Sequence, residues 1–232
     1  MKQQQLKSKK QQLKSKRKWD KSVIKISKEL RNIIHGYIMS DGYVTKNGIL
    51  YIEHSKKQEK FVLWLYNKLK LIKSPSGINE YIRIHPKTKK KSYSIRFFTK
   101  SVLKGFHNMW YTPYTDKNGF IYYKKKLPNN IHCFFEETFI SIWYAGDGTK
   151  IIGSKGAKFE VTAFTVKERL KLKNLFFNKF NIKALIIKSG ISKKGNTQWV
   201  LKIPASEYSK FRDLITHIDL IPTIFPYKLN KK

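Results

Sequence analysis

The chain has 232 residues, with 49 Lys and Arg against 15 Asp and Glu, a formal net charge of +34. A single cysteine, Cys133, excludes a disulfide framework and any multi-cysteine metal site, and no apolar run reaches the roughly 18 residues of a membrane span. With 41 % hydrophobic and 14 % aromatic residues the chain can bury a core, so its charge points to a polyanionic partner, nucleic acid ahead of an anionic membrane surface, rather than to whole-chain disorder.

Residues 1–26 are expected to form a basic tail. Its first 21 residues carry eight Lys, one Arg and one Asp, a net +8, and such like-charge blocks stay solvated. They contain no apolar stretch of a secretory signal and too little Arg for a clean mitochondrial presequence. Globular patterning starts at Ser27, a candidate cap for a helix over Lys28–Met39 with Leu30, Ile33, Ile34, Tyr37 and Ile38 at helical spacing. Asp41-Gly42 ends it, with Gly42 expected in the left-handed conformation. A hairpin is predicted over Tyr43–Lys46 and Ile49–Glu53, turned at Asn47-Gly48. Ser55 opens a helix carrying Phe61, Leu65 and Leu69. Two strands follow, with Ile82, Ile84, Tyr93, Ile95 and Phe97 turned inward and Tyr81, Arg83, His85, Ser94 and Arg96 outward. Ser101 is expected to open the next helix. The order is α-β-β-α-β-β-α.

The pattern then repeats. Ile33–Gly42 has a counterpart in Phe139–Gly148, so Asp41 and Asp147 stand 106 residues apart. Leu65–Leu69 matches Phe176–Phe180. Ser101, Phe106 and Trp110 match Ser206, Phe211 and Ile215, and Tyr123–Lys126 resembles Tyr227–Lys228. Four blocks in one order at nearly one offset indicate a tandem duplication: a first repeat at 27–111, a linker at 112–135 and a second repeat at 136–232. In the second repeat Trp199, Leu201 and Ile203 are expected inward, with Gln198 and Lys202 outward. Each sheet would keep one wet, basic face, and two such faces suit a duplex lying in a trough. Arg83, His85, Ser94, Arg96, Gln198 and Lys202 are candidates for base edges. Lys87, Lys89, Lys90, Lys193 and Lys194, on turn tips, are candidates for phosphates.

A carboxylate at a helix C-terminus faces the negative end of the helix dipole, yet this acid-poor chain places one there twice. If the two helices pack through their small residues, Gly36, Ser40 and Gly146, then Asp41 and Asp147 converge. Two close carboxylates repel unless a cation lies between them, and Mg²⁺ favours one or two carboxylates with waters and substrate phosphates. In a basic trough this is the layout of metal-assisted phosphodiester hydrolysis. The six histidines show no metal-ligand spacing, and His107 and His217 are expected in helices. There is no phosphate-cradling glycine loop or Ser-His-Asp pattern.

Ile34–Gly42 (IHGYIMSDG) and Ile140–Gly148 (ISIWYAGDG) resemble the two motifs of the LAGLIDADG homing endonucleases, with Ile142 where the second motif's Gly would stand. The resemblance continues through Tyr122–Ile131 (YYKKKLPNNI) and Ile221–Leu229, and covers about residue 28 to the C-terminus. It implies an α+β fold of two pseudo-symmetric αββαββα repeats, motif helices packed centrally and two antiparallel sheets forming a DNA-binding saddle. It implies a monomer cutting both strands of a long DNA site with Mg²⁺, or Mn²⁺ in its place. Asp41, Asp147, Ser40 and Gly146 would form the metal site. Lys125, with Lys126 as the alternate register, and Lys228 would stabilise charge in the transition state. Glu53 would help order water, its partner in the second repeat being Glu160 or Thr162. An intron-RNA-binding splicing cofactor on the same fold is the alternative, and a non-catalytic DNA-binding repressor a third reading. A composition rich in Lys, Ile, Asn, Phe and Tyr reads as AT-rich coding, as in mitochondrial or chloroplast genomes.

Overall fold

The computed structural model describes residues 24–193 and 195–229. The basic tail up to residue 23 and Lys194 lie outside them. The first half holds α1 (Lys28–Met39), β1 (Tyr43–Val44), β2 (Leu50–Ser55), α2 (Glu59–Lys68), β3 (Asn79–Ile84), β4 (Lys91–Phe98) and α3 (Lys104–Trp110). The segment read as a linker carries a hairpin of β5 (Tyr111–Thr115) and β6 (Ile121–Lys125). The second half holds α4 (Glu137–Asp147), β7 (Gly148–Lys150), β8 (Ala157–Glu160), α5 (Val166–Phe180), β9 (Leu185–Ile191), β10 (Thr197–Ile203), α6 (Tyr208–Ile215) and α7 (Leu220–Ile224). Each half is αββαββα, and the two four-stranded sheets share one antiparallel order, β1-β2-β4-β3 and β7-β8-β10-β9.

Local chemistry explains the main boundaries. Ser27 caps α1, its hydroxyl accepting from the Leu30 amide at 3.2 Å. Thr165 and Glu168 form a capping box at the start of α5. Asn47-Gly48 does turn the first hairpin, Gly48 having φ +83° and packing against the backbone of Leu103 and Lys104. The motif helices α1 and α4 run side by side in the same direction. Near their starts, Asn32 donates to the Glu136 carboxylate at 2.8 Å, and Lys28 pairs with it at 2.7 Å. Midway, a Cβ on Gly36 would fall 2.7 Å from the Phe139 carbonyl and 2.9 Å from Ile142 Cβ, so the backbones touch through glycine. Around this contact lies one continuous core. Tyr37, Phe61 and Phe97 from the first half join Trp143, Phe159, Phe176 and Phe211 from the second. The Phe61 and Phe225 rings meet edge to face across the halves at 5.2 Å.

Several local expectations are corrected. Gly42 is not left-handed. It is required because a Cβ there would lie 2.7 Å from the Tyr37 carbonyl and 2.8 Å from its ring, and Gly148 meets Tyr144 in the same way. Ser101 does not cap α3, which starts at Lys104. Its hydroxyl instead donates to the Asn47 carbonyl and pins the hairpin turn. Ile82, Ile84 and Tyr93 are exposed, not inward, because β3 and β4 extend past the helices that cover Ile95 and Phe97. His217 lies in the bend after α6 rather than in a helix. His107 is in α3 and buried, its Nδ1 2.9 Å from the Val44 carbonyl.

Candidate active site

Two parallel helices ending at one point bring two partly negative termini together, and this chain adds Asp41 and Asp147 to them. The close approach is made possible by Gly146. A Cβ there would lie 2.5 Å from Ser40 Oγ and 2.7 Å from an Asp41 carboxylate oxygen. Left alone, such a junction would be repulsive. Two lysines answer it in pseudo-symmetric fashion. Lys125, at the end of β6, donates to the carbonyls of Ile38 at 2.7 Å and Ser40 at 2.9 Å. Lys228, buried after α7, donates to Tyr144 at 3.0 Å, Ala145 at 2.6 Å and Gly146 at 3.2 Å. Each ammonium takes up last-turn carbonyls, most of them without a helical partner; the Tyr144 carbonyl also accepts the Gly148 amide.

The electrostatics follow from burial. Burial, with Asp41 beside it, pushes the Asp147 carboxyl up to about 7, against the pull of Lys125 and Lys228. Burial draws the Lys228 ammonium down to about 8, opposed by Asp41 and Asp147. Lys125 is lowered for the same reason, with the same two carboxylates opposing. The junction therefore holds two carboxylates and two ammoniums that interact, with Asp147, Lys125 and Lys228 poorly solvated and Asp41 exposed beside them.

The structure brings Asp41, Asp147, Lys125 and Lys228 together, and of the two candidate lysines it is Lys125 whose ammonium lies at the junction. Ser40 and Gly146 are there too, their carbonyls accepting from Lys125 and Lys228 and their small size letting the helices touch. Among the described residues no group of three or more His, Cys, Asp and Glu could hold a metal. The protein thus offers two carboxylates, a hard and incomplete donor set. That set fits Mg²⁺, which keeps waters and substrate oxygens in its remaining positions.

The sequence profile of the LAGLIDADG DNA endonuclease family matches residues 31–211. The chain belongs to this family. It is 26 % identical over 224 residues to the cytochrome b mRNA maturase bI2 of Saccharomyces cerevisiae, covering 88 % of this chain and 48 % of that protein. It is 38 % identical over 74 residues to the protein of the same name from Debaryomyces hansenii, covering 32 % of this chain and 28 % of that protein. The chain thus spans about half or less of the length of these relatives. Among solved structures, the homing endonuclease I-WcaI bound to its DNA recognition sequence superposes with a TM-score of 0.68 at 20 % identity, covering 89 % of this chain and 88 % of that one. At that identity the likeness establishes the fold.

The outward strand positions separate into two groups. In the first sheet Glu53 lies opposite Arg96. Its carboxylate accepts from Arg83 Nη2 at 2.5 Å and from the Ser94 hydroxyl at 2.7 Å, with Arg96 Nη1 3.9 Å away. The sequence reading missed this network, because long side chains from three strands meet only once the register is set. His85 is exposed, and its Nδ1 accepts the Thr88 amide at 3.1 Å and orders the turn that exposes Lys87, Lys89 and Lys90. In the second sheet Lys193 and Gln198 are exposed and Lys202 is half-buried. A β-bulge between Gln198 and Trp199 re-aims the strand. The register settles which residue answers Glu53. Tyr43 pairs with Tyr51 as Thr149 pairs with Lys158, which makes Glu160 the counterpart. Glu160 lies near enough to Asp147 to oppose its ionisation.

Proposed function

We propose that the chain is a site-specific DNA endonuclease that makes metal-dependent double-strand breaks at a long recognition site, with Mg²⁺ as cofactor and Mn²⁺ able to replace it. The observation that carries this reading is the meeting of two carboxylates and two buried ammoniums at joined helix ends in a chain of net charge +34. Asp41 and Asp147 would hold the ion, which when bound supplies Lewis-acid activation of water and of the phosphodiester. The protein's own groups do the rest. Lys125 and Lys228 fix the two helix ends, and their charges face the negative charge that develops on a phosphate during in-line attack. Burial removes competing solvent and strengthens each of these interactions. Both repeats lie on one chain, so a monomer carries the whole site. The outer sheet faces, with Arg83, Arg96, Lys158 and Lys202, would track the duplex.

An RNA-directed role as a splicing cofactor is the second reading, favoured by the names of the two yeast relatives. For it the exposed face of α5 is available, where Val166 and Leu170 are interleaved with Lys167 and Lys171. An organelle, mitochondrion or chloroplast, is the proposed compartment under either reading.

Incubation with DNA carrying the intron-less insertion site and Mg²⁺ tests the first reading. Asp41→Asn and Asp147→Asn should each bind that DNA about as well as the parent and lose double-strand cleavage by orders of magnitude, leaving at most a nick. The double variant should be no worse than either single one, as for groups that act as a unit. Cleavage of both strands at the parental rate by either single variant would overturn the paired-carboxylate site. Binding of intron RNA without DNA cleavage by the parent would favour the second reading.

A further inference from the structure

The two sheets are related by register, yet the side chains at corresponding outward positions differ in kind. In the first sheet the position opposite Glu53 is Arg96, and beyond it on β3 stands Asn79. The Arg96 guanidinium lies 3.1 Å over the Tyr81 ring and only loosely against Glu53. Its Nε is buried with no hydrogen-bond partner among the described residues. Stacking fixes the plane of this guanidinium and leaves its terminal Nη donors, rather than the buried Nε, to meet a ligand. In the second sheet the position opposite Glu160 is Val200, and beyond it on β9 stands Ile187. Among the described residues no arginine reaches Glu160, whose carboxylate is taken up by the Thr162 amide at 3.1 Å and by the Thr162 hydroxyl. Val200 and Ile187 join Ile151 in an apolar cleft of about 220 Å³, flanked by Lys158 and Lys202.

We propose that the two halves of the DNA site differ in the same sense. The half on the first sheet carries a G·C pair at the position facing Arg96 and Glu53. The half on the second sheet carries a thymine at the corresponding position, its methyl group seated against Val200 and Ile187. The chemistry follows from the base edges. A planar guanidinium matches the O6 and N7 acceptors of guanine, and a carboxylate accepts from the cytosine amino group, so Arg96 and Glu53 together read both members of one pair. The thymine methyl is the apolar feature of the major groove, and an aliphatic cleft with lysines at its rim can bury it while holding phosphates. A duplication that began with two like halves has thus diverged into two different readers. The inference rests on the DNA reading above.

The test is selection of bound duplexes from a randomised library by the full chain in Ca²⁺, followed by substitution within the selected site. At positions equidistant from the centre, one half should be fixed as G·C and the other as A·T. Replacing that thymine by deoxyuridine, which removes only the methyl, should weaken binding several-fold, and Val200→Ala should abolish the difference between the two bases. Arg96→Lys keeps the charge but not the fork, and it should reduce discrimination at the G·C position roughly tenfold. Enrichment of no sequence would overturn the DNA reading and this inference with it. Enrichment of a site with the same pair at both positions, or equal binding of thymine and deoxyuridine by the parent, would overturn this inference alone.

Discussion

At the scale of single residues, the junction of α1 and α4 is held at a cost to stability. Asp147 is the clearest case. Its carboxyl titrates near 7 in the folded chain against an ordinary 3.8. Between those values the unfolded chain has released a proton that the folded chain keeps, so stability falls as pH rises from about 4 to 7 and stays lowered above that range. Asp147→Asn removes this penalty. In EDTA at pH 7.5 it should melt above the parent, by about 2–4 °C for each kcal/mol relieved, with the gain vanishing near pH 4. Equal melting temperatures at both pH values would show that Asp147 is not strained by burial. Lys228 is also buried against its charge, but its removal acts on the helix ends as well. It is 8 % exposed and serves three carbonyls. Lys228→Ala leaves those acceptors without it, at a cost of about 1–3 kcal/mol, and should lower the cleavage rate at saturating DNA far more than affinity. His35 gives a control outside the site. Buried and stacked on Phe134 with ring centroids 3.7 Å apart, it accepts the Trp110 indole N–H through Nδ1 at 2.9 Å. Burial, then Arg31, lowers it to about 3. Below pH 6.5 the unfolded chain takes up a proton that the folded one refuses. Acid should therefore destabilise the parent progressively from about pH 6.5 downward, and His35→Phe should flatten that part of the profile in a denaturation series.

At the scale of elements, the contact between α1 and α4 positions everything else, and its two glycines fail differently. Gly36 sits mid-helix against the Phe139 carbonyl and Ile142, neither of which can swing away. Gly36→Ala must push the helices apart, costing about 1–3 kcal/mol in the manner of an overpacked core, and it should lower the melting temperature along with activity. Gly146 meets the Ser40 side chain and the Asp41 carboxylate. There the yielding groups belong to the site, so Gly146→Ala should abolish most cleavage at a smaller cost in stability. Thermal melts paired with single-turnover rates distinguish the two. If both variants melt alike and cut alike, the helix contact is not what sets the carboxylate spacing.

At the scale of the whole molecule, charge and duplication dominate. A +34 chain on a duplex displaces condensed counterions, and log K should fall by roughly 0.9 per phosphate neutralised as log salt rises. A flat response between 50 and 200 mM salt would show that the sheets do not lie along the duplex. Much of this architecture was legible in the sequence, because it is carried by periodicity and repetition. Helical spacing marked α1, the Asn47-Gly48 turn marked the first hairpin, and the spacing of the two Asp-Gly pairs marked two equivalent helix ends. These signals are local or repeated, so folding does not alter them. What only the tertiary structure decided are the contacts between residues far apart in the chain. That Gly42 and Gly148 are needed for space against tyrosines rather than for backbone freedom depends on where Tyr37 and Tyr144 turn. That Lys125 and Lys228 lodge on the C-terminal ends of α1 and α4 depends on chain paths through β6 and α7 that no short pattern encodes. That Ile82 and Tyr93 stay in solvent depends on where the covering helices stop. The clustering of Glu53, Arg83, Ser94 and Arg96 on one sheet, and of Ile187 and Val200 on the other, depends on strand register. Alternation alone leaves register free, because it fixes which face a side chain takes but not which neighbour it meets.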